Sequence, residues 1–213
     1  MPNNRNFVIF DIETSGLDPE QGCEIVQIAA TALRYSDYEE VENGKFSCLI
    51  KPQKEDKAQS QALNIIGQEL WNKAKTEGLH PKVALRKFVE FLDSVNPTKK
   101  FWTSPILVGY NSINFDTPFV KHQLIEYGVL GKNADLPWSN LQIDMATNMF
   151  CLFGRDNLKN NKLDTYCTLL GISRSSDNHN AEEDVHLTTE MFQRYIKFIN
   201  FKMRPRIKIQ TNV

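Results

Sequence analysis

The chain has no closely spaced cysteine pair, no long hydrophobic run and no marked excess of either charge. Its four cysteines are scattered without a Cys-x-x-Cys pair, which argues against a disulfide framework or thiolate zinc site and predicts buried free thiols. The polar N-terminus and a first apolar run interrupted by Asp11 and Glu13 argue against a signal or membrane segment, so we expect a cytoplasmic protein. Because no stretch of the 213 residues resembles a Pro-, Gly- or Ser-rich linker, we predict one domain over residues 1–203.

The formal net charge of −1 gives no overall basic character of the kind that nucleic-acid-binding proteins often show. The charges are unevenly distributed along the chain, however. After Glu190 there is no further acidic residue, and the basic residues that follow are Arg194, Lys197, Lys202, Arg204, Arg206 and Lys208. We therefore expect a basic C-terminal tail over residues 204–213, which is either a solvated surface or a track for phosphate groups.

Hydrophobic patterns predict five strands and several helices. The strands are expected at residues 7–13, 24–35, 45–50, 106–110 and 141–144, with short turn-forming links between the first three. Helices are expected at residues 62–66, 69–75, 117–127 and 181–201, and between Pro81 and Asn96. Three consecutive strands are followed by strands that alternate with helices. This order predicts an α/β protein with a mixed sheet and helices on its faces.

Two carboxylates end the first predicted strand. Asp11 and Glu13 are two residues apart, so the alternation of a strand places both side chains on one face. A hard divalent cation such as Mg²⁺ would turn the repulsion between them into binding. The same spacing occurs in Asp37 and Glu39, which we interpret as a surface turn, and an exposed strand end is the alternative for the first pair. The buried run before Asp11 favours a functional site, because sites in open α/β sheets lie at strand ends.

Two further acidic positions lie near predicted helix starts. Asp116 follows a buried strand and a turn that contains Asn111, and it is either part of a site or the N-cap of the next helix. Asp184 lies one turn into the last helix beside its apolar face, where an unpaired carboxylate requires a cation or a proton. Glu182 and Glu183 also fit ordinary first-turn acids that the helix dipole favours.

One of the four histidines is placed to act as a base. His179 lies in a polar loop before the last helix, five residues before Asp184. If this loop covers the site, a neutral imidazole with a pKa of about 6.5 would take a proton from the attacking water. We interpret His80, His122 and His186 as surface or packed histidines.

Together, these positions resemble the DEDDh exonucleases, the family of the proofreading subunit of bacterial replicative polymerase, ribonuclease T and oligoribonuclease. Residues 11–19 are similar to the family's first motif, residues 111–116 to the second and residues 179–184 to the third, in the family's order and over nearly the whole chain. His179, in place of the tyrosine of the sister family, selects this branch. The resemblance implies a ribonuclease H-like fold with strand order 3-2-1-4-5, in which the first three strands are antiparallel.

The resemblance also implies the chemistry. The activity would be 3′-to-5′ hydrolysis at a free 3′ hydroxyl of a nucleic acid, with release of nucleoside 5′-monophosphates and with two Mg²⁺ or Mn²⁺ ions. Asp11 would bridge the ions, while Glu13 and Asp184 would hold the one that activates water. Asp116 would act on the second ion, directly or through water, and His179 would be the general base. Two such ions can stabilise both the attacking and the leaving oxygen of an in-line displacement.

Substrate contacts are implied as well. Thr14, Gly16 and Leu17 would line the pocket for the terminal nucleotide, although Leu17 also fits a small hydrophobic plug. Asn111 belongs to the second motif, and Asp144 either supports the site or caps a helix. We expect the partner to be a nucleic acid with a single-stranded 3′ end, DNA or RNA. Family members also work as homodimers or in complexes with a polymerase or other nuclease components.

Two other functions stay open. A catalytically weak nucleic-acid-binding or polymerase-associated module of the same fold would keep the acids without efficient cleavage. An internally cutting nuclease would also use clustered carboxylates, but it has no need of the element from His179 to Asp184. All five catalytic positions are filled, which favours the active exonuclease.

Overall fold

The computed structural model describes residues 5–154, 158–175 and 180–203, with side chains through residue 201. The predicted base His179 and the tail over residues 204–213 lie outside these ranges, and so does the side chain of Lys202.

The strands are β1 (Phe7–Thr14), β2 (Ile25–Leu33), β3 (Glu40–Leu49), β4 (Ile106–Gly109) and β5 (Gln142–Asp144). The helices are α1 (Ser60–Glu77), α2 (Pro81–Ser94), α3 (Asp116–Glu126), α4 (Met145–Phe153), α5 (Leu163–Leu170) and α6 (Ala181–Met203). None of these helices is long and apolar enough to cross a membrane.

The five strands form one mixed sheet in the order β3-β2-β1-β4-β5. β2 runs antiparallel to both β1 and β3, whereas β4 runs parallel to β1 and β5 runs parallel to β4. The predicted α/β class, the strand order and the antiparallel arrangement of the first three strands are confirmed. β1 lies in the centre with both faces covered, which explains why its apolar run is nearly continuous rather than alternating.

Helices cover both faces of the sheet, and the two largest hydrophobic clusters lie one on each face. On one face, α2 and α3 pack against β1, and the ring centroids of Phe10 and Phe88 lie 6.4 Å apart. On the other face, α4, α5 and α6 pack against Phe7 and Ile9, and Phe7 lies 5.1 Å from Phe192 between ring centroids. Because strand residues alternate between faces, the odd-numbered residues that follow Ile9 on β1 point toward the side of α6.

Local differences from the sequence predictions have physical reasons. The two helical segments predicted at residues 62–66 and 69–75 are halves of α1, which is kinked at Gly67 (φ 79°, ψ 152°). These angles are open essentially to glycine alone. β3 begins at Glu40 rather than residue 45, because the polar first half of this edge strand has no clear hydrophobic period. α5 was not predicted. The expectation of buried thiols is wrong for Cys151, which is exposed on α4.

Candidate active site

Four carboxylates from three separate parts of the chain meet near the C-terminal end of β1. Asp11 and Glu13 project from this strand and Asp184 from the first turn of α6, and one carboxylate oxygen of each lies within 4.8 Å of the others. Asp116 joins them from the start of α3, where its Oδ1 accepts a hydrogen bond from the backbone N–H of Ile12 at 3.1 Å. The structure therefore brings together the four acids that are far apart in sequence.

Asp116 does not cap α3. The N-cap position belongs to Phe115, and Asp116 is the first residue of the helix. Its buried side chain reaches across to β1 instead, while the N–H of Thr117 bonds to the backbone oxygen of Ser112 at 2.9 Å. The capping interpretation is wrong, because the hydrogen bond to Ile12 directs the carboxylate of Asp116 toward the other acids.

Burial and mutual repulsion perturb the acids strongly. Burial, followed by repulsion from Asp116 and Glu13, raises the pKa of Asp11 well above its ordinary range. Burial and then repulsion from Asp184 raise the pKa of Glu13 to about 8. Burial also raises the pKa of Asp116 to about 7, against the lowering effect of the bond from Ile12. A divalent cation would relieve this repulsion, and carboxylate oxygens are suitable ligands for it, so the cluster fits a divalent-cation site.

A largely buried arginine lies beside the acids. In Arg174, Nη2 lies 2.6 Å from Oδ1 of Asp184 and 2.8 Å from Oδ1 of Asp164, and Nη1 lies 3.5 Å from Oε2 of Glu183. Its positive charge lowers the pKa of Glu13, in opposition to burial. No sequence pattern indicated Arg174, because a single arginine in a polar loop has no spacing that distinguishes it.

Glu183 is more than an ordinary first-turn acid. Its side chain is buried, and Oε1 accepts hydrogen bonds from the backbone N–H and the hydroxyl group of Ser175. Its own N–H donates to Oδ1 of Asn180 at 2.9 Å, and the N–H of Ala181 donates to Oε1 of Gln27 on β2 at 3.0 Å. The first turn of α6 is thus fixed to the preceding loop and to the sheet, which positions the neighbouring Asp184.

Asp144 both caps a helix and holds the turn before Asp116, the two kinds of role that its position in the sequence left open. It is the N-cap of α4 and accepts hydrogen bonds from the N–H groups of Ala146 and Thr147. It also accepts bonds from the N–H of Asn111 at 3.2 Å and of Ile113 at 3.4 Å. Asn111 has a φ of 60°, a left-handed conformation that asparagine adopts more readily than most residues. Asp144 therefore holds the turn that leads to Asp116.

An apolar cavity of about 230 Å³ adjoins Glu13, and Thr14, Leu17, Ile65 and others line it. Leu17 is 70% exposed, so its interpretation as a hydrophobic plug is wrong. The hydroxyl group of Thr14 donates to the backbone oxygen of Gly16 at 2.7 Å. A Cβ atom on Gly16 would lie 2.3 Å from Sγ of Cys23, so this tight turn requires glycine.

Strand order, connectivity and the position of the acids at the end of the central strand define a ribonuclease H-like fold of the class that contains the DEDDh exonucleases. The sequence model of the RNase T exonuclease family matches residues 8–192, and the chain belongs to this DEDDh family.

Similar proteins agree with this classification. Relatives include the PolC-type DNA polymerase III of Ureaplasma parvum, 29% identical over 193 residues that cover 90% of this chain and 11% of the relative. Another is the 3′-5′ exonuclease DinG of Bacillus subtilis, 26% identical over 207 residues that cover 97% of this chain and 19% of the relative. The chain thus spans only a small part of these proteins.

The fold is also that of E. coli exonuclease I, as seen in its complex with a dT13 oligonucleotide. The TM-score is 0.71 at 19% identity, and the match covers 95% of this chain and 42% of exonuclease I. The predicted ribonuclease H-like fold is therefore confirmed.

Proposed function

We propose that this chain is a divalent-metal-dependent 3′-5′ exonuclease that releases nucleoside 5′-monophosphates from the free 3′ hydroxyl end of a nucleic acid. The observation that carries this proposal is the convergence of Asp11, Glu13, Asp116 and Asp184 at one end of β1. Membership of an exonuclease family supports it, and the similarity to DinG, a 3′-5′ exonuclease, supports the 3′-to-5′ direction of cleavage.

The acidic cluster is suited to two ions of the Mg²⁺ or Mn²⁺ type. Asp11, whose carboxylate is repelled by all three of the other acids, would contact both ions, Glu13 and Asp184 would hold one, and Asp116 would hold the other directly or through water. When bound, the two ions stabilise the attacking and the leaving oxygen of an in-line displacement. The protein contributes fixed positions for these carboxylates, through the bond from Ile12 to Asp116 and the anchored first turn of α6.

Other residues would supply the remaining roles. His179 would accept the proton of the attacking water and thereby act as the general base. Thr14, Gly16 and the exposed Leu17 would place the terminal nucleotide in the apolar cavity next to Glu13, where a base can contact an aliphatic side chain. Asn111, at the turn before Asp116, would contribute a polar contact to the substrate.

A degradation assay tests this function. Single-stranded and double-stranded DNA and RNA, labelled either at the 5′ end to follow shortening or uniformly to follow released products, are incubated with Mg²⁺, Mn²⁺ or EDTA, and each carries a 3′ hydroxyl or a 3′ phosphate. We expect stepwise shortening from the 3′ hydroxyl end, mononucleotide products and no cleavage in EDTA. Internal fragments would indicate an endonuclease, and intact substrate would indicate a binding module.

Two matched variants locate the activity. Asp11→Asn removes one site carboxylate without opening a cavity, so we expect a loss of several orders of magnitude in rate with an unchanged fold. Asp37→Asn is the control, because Asp37 and Glu39 repeat the Asp-x-Glu spacing in a surface turn. Full activity of Asp11→Asn, or of the parent in chelator, would overturn the metal-dependent mechanism.

A further inference from the structure

The connection between α2 and β4 presents two large aromatic side chains to solvent. Phe101 is 56% exposed and Trp102 is 63% exposed, and both lie in a single 3-10 turn, Phe101–Thr103. Aromatic side chains of this size are usually buried or placed in interfaces, because their apolar area is large. Two of them side by side on the surface indicate a binding function.

Internal hydrogen bonds hold this connection in shape. Asn96 is buried, its Oδ1 accepts a bond from the hydroxyl group of Thr103 at 2.7 Å, and its Nδ2 donates to the backbone oxygen of Lys100 at 3.1 Å. Arg5 donates from Nε to the backbone oxygen of Trp102 at 2.8 Å. Lys99 has a φ of 53°, a conformation that is unfavourable for lysine and is kept where the surroundings enforce it. The aromatic side chains are thus presented by an ordered backbone.

The segment that carries these side chains is positively charged. Nζ of Lys100 lies 5.5 Å from the centre of the Trp102 ring, within the range of a cation–π contact. Lys99 and Arg5 flank the same turn, and residues 94–115 contain no aspartate or glutamate. We call Lys99, Lys100, Phe101 and Trp102 the aromatic platform. Its ligand should carry negative charge and flat, stackable groups.

We propose that the aromatic platform binds single-stranded nucleic acid as a second contact, remote from the acidic site. Exposed rings on which bases stack, next to cations that contact the phosphates, form the common arrangement for binding single strands without sequence preference. A protein partner fits less well, because lysine is depleted in protein–protein interfaces. One part of this inference, that the same strand also enters the acidic site, rests on the proposed exonuclease function.

The position of the platform sets the length of nucleic acid that could reach both sites. The turn lies just before β4, which pairs in parallel with β1 so that Ile106 is opposite Phe7. From Phe7 to Glu13 the strand extends about 20 Å at roughly 3.3 Å per residue. At a stacked rise of about 3.4 Å per nucleotide, a single strand needs about six nucleotides or more to connect the two sites. Longer strands should therefore bind more tightly than short ones.

Oligonucleotide binding in EDTA tests the platform without cleavage. Fluorescently labelled oligo(dT) of about 4 and about 16 nucleotides is titrated with the full chain, within the range of lengths that single-strand binding domains occupy. We expect Trp102→Ala to weaken binding of the long strand by about tenfold and to leave the short strand unchanged. Lys99→Gln with Lys100→Gln should reduce the dependence of log K on log salt by about 1.4, which corresponds to two phosphate contacts.

Tryptophan fluorescence gives a direct measure of stacking. Of the three tryptophans, Trp71 and Trp138 are buried, so a base that stacks on the surface should quench Trp102 alone. We expect the long oligonucleotide to quench the parent and not Trp102→Ala. The control is Phe150→Ala, which removes an aromatic ring of similar exposure (53%) from α4 and should bind like the parent.

Three results would overturn the proposal. They are equal affinity of the parent for both lengths, an equal loss for both lengths in Trp102→Ala, and a Trp102→Ala variant that binds the long strand like the parent. The parent could also bind an acidic, aromatic-rich peptide that this variant does not bind, while both bind the oligonucleotide equally. That result would assign the platform to a protein partner instead. Because binding is measured without catalysis, a chain that binds the long strand through Trp102 but never cleaves it would disprove the nuclease function and leave this inference standing.

Discussion

Nη2 of Arg174 lies 2.6 Å from Oδ1 of Asp184, so a permanent cation contacts one of the four clustered acids. The same guanidinium contacts Asp164 on α5 and the buried Glu183 on α6. Repulsion among Asp184 and its neighbours opposes folding when all are ionised, and Arg174 offsets part of it. The arginine therefore contributes to both the electrostatics of the site and the packing of α5 on α6.

Replacement of this arginine should destabilise the metal-free protein. Arg174→Gln removes the guanidinium group from its contacts with Asp184 and Glu183, so we expect a loss of about 1.5–3 kcal/mol in the free energy of unfolding. Added Mg²⁺ should recover more stability in the variant than in the parent, because bound cations would then provide the missing neutralisation. Urea unfolding in EDTA and in Mg²⁺ measures both effects.

Lys73→Gln is the matched control for this prediction. Lys73 pairs with Glu69 one turn away on α1, where both side chains are exposed. Exposed pairs of this kind contribute about 0.3–0.5 kcal/mol. An equal loss of stability in the two variants would show that the contact between Arg174 and the acidic cluster has no special energetic role.

The raised pKa of Glu13 predicts how stability depends on pH. An unfolded glutamate loses its proton near its ordinary pKa of 4.5, whereas folded Glu13 keeps the proton up to about 8. Between these values the folded state binds more protons than the unfolded state, so the stability of the metal-free protein falls as the pH rises through this window. The raised pKa of Asp116, about 7, acts in the same direction.

Glu13→Gln should reduce this pH dependence. The free energy of unfolding of parent and variant is measured in EDTA at about pH 5 and about pH 8, on either side of most of the window. We expect the variant to lose less stability on going to the higher pH, and we expect Mg²⁺ to stabilise the parent more at that pH. Identical pH slopes for the two proteins would contradict the burial of an ionisable Glu13 among like charges.

Leu17 should affect substrate binding without affecting stability. Its side chain is 70% exposed beside the cavity next to Glu13, so Leu17→Ala should change the free energy of unfolding by less than about 0.5 kcal/mol. Loss of apolar contact with the terminal base should raise KM by about tenfold with little change in kcat. Leu141→Ala is the control, since Leu141 is also exposed but does not line that cavity. A parent-like KM in Leu17→Ala would exclude Leu17 from the nucleotide pocket.

Much of the fold was predictable from local patterns. The apolar run over residues 7–10 indicated a central strand, and the break at Gly67 was visible as two short helical segments. α5 and the early start of β3 were not predictable in the same way. α5 has only eight residues, which are too few to show a clear hydrophobic periodicity. β3 is a charged edge strand, and such a strand needs apolar side chains on one face only, so its pattern is weak.

The acids of the site were predictable, but most of their supporting contacts were not. Asp11, Glu13, Asp116 and Asp184 stand out because each lies where an apolar strand or helix begins or ends. Arg174 becomes apparent only when the chain folds back and places its guanidinium group against Asp184. The choice between cap and site residue at Asp116 also required the hydrogen bond from β1, which joins residues 104 positions apart.

The proposed role of His179 is proton abstraction rather than metal binding. His179→Ala should lower kcat by about 10²–10⁴-fold, the usual cost of losing a general base, while the affinity for Mg²⁺ changes little. The rate of the parent should fall as the pH drops through the pKa of the histidine, because a protonated imidazole cannot accept the proton, and the variant should lose this dependence. Added imidazole should restore part of the variant's rate. kcat is measured against pH at saturating Mg²⁺ for the parent, His179→Ala and the control His122→Ala, which alters a histidine on α3 outside the acidic cluster. A variant with the parent's kcat and pH profile would remove His179 from the mechanism and leave the four acids without an identified base.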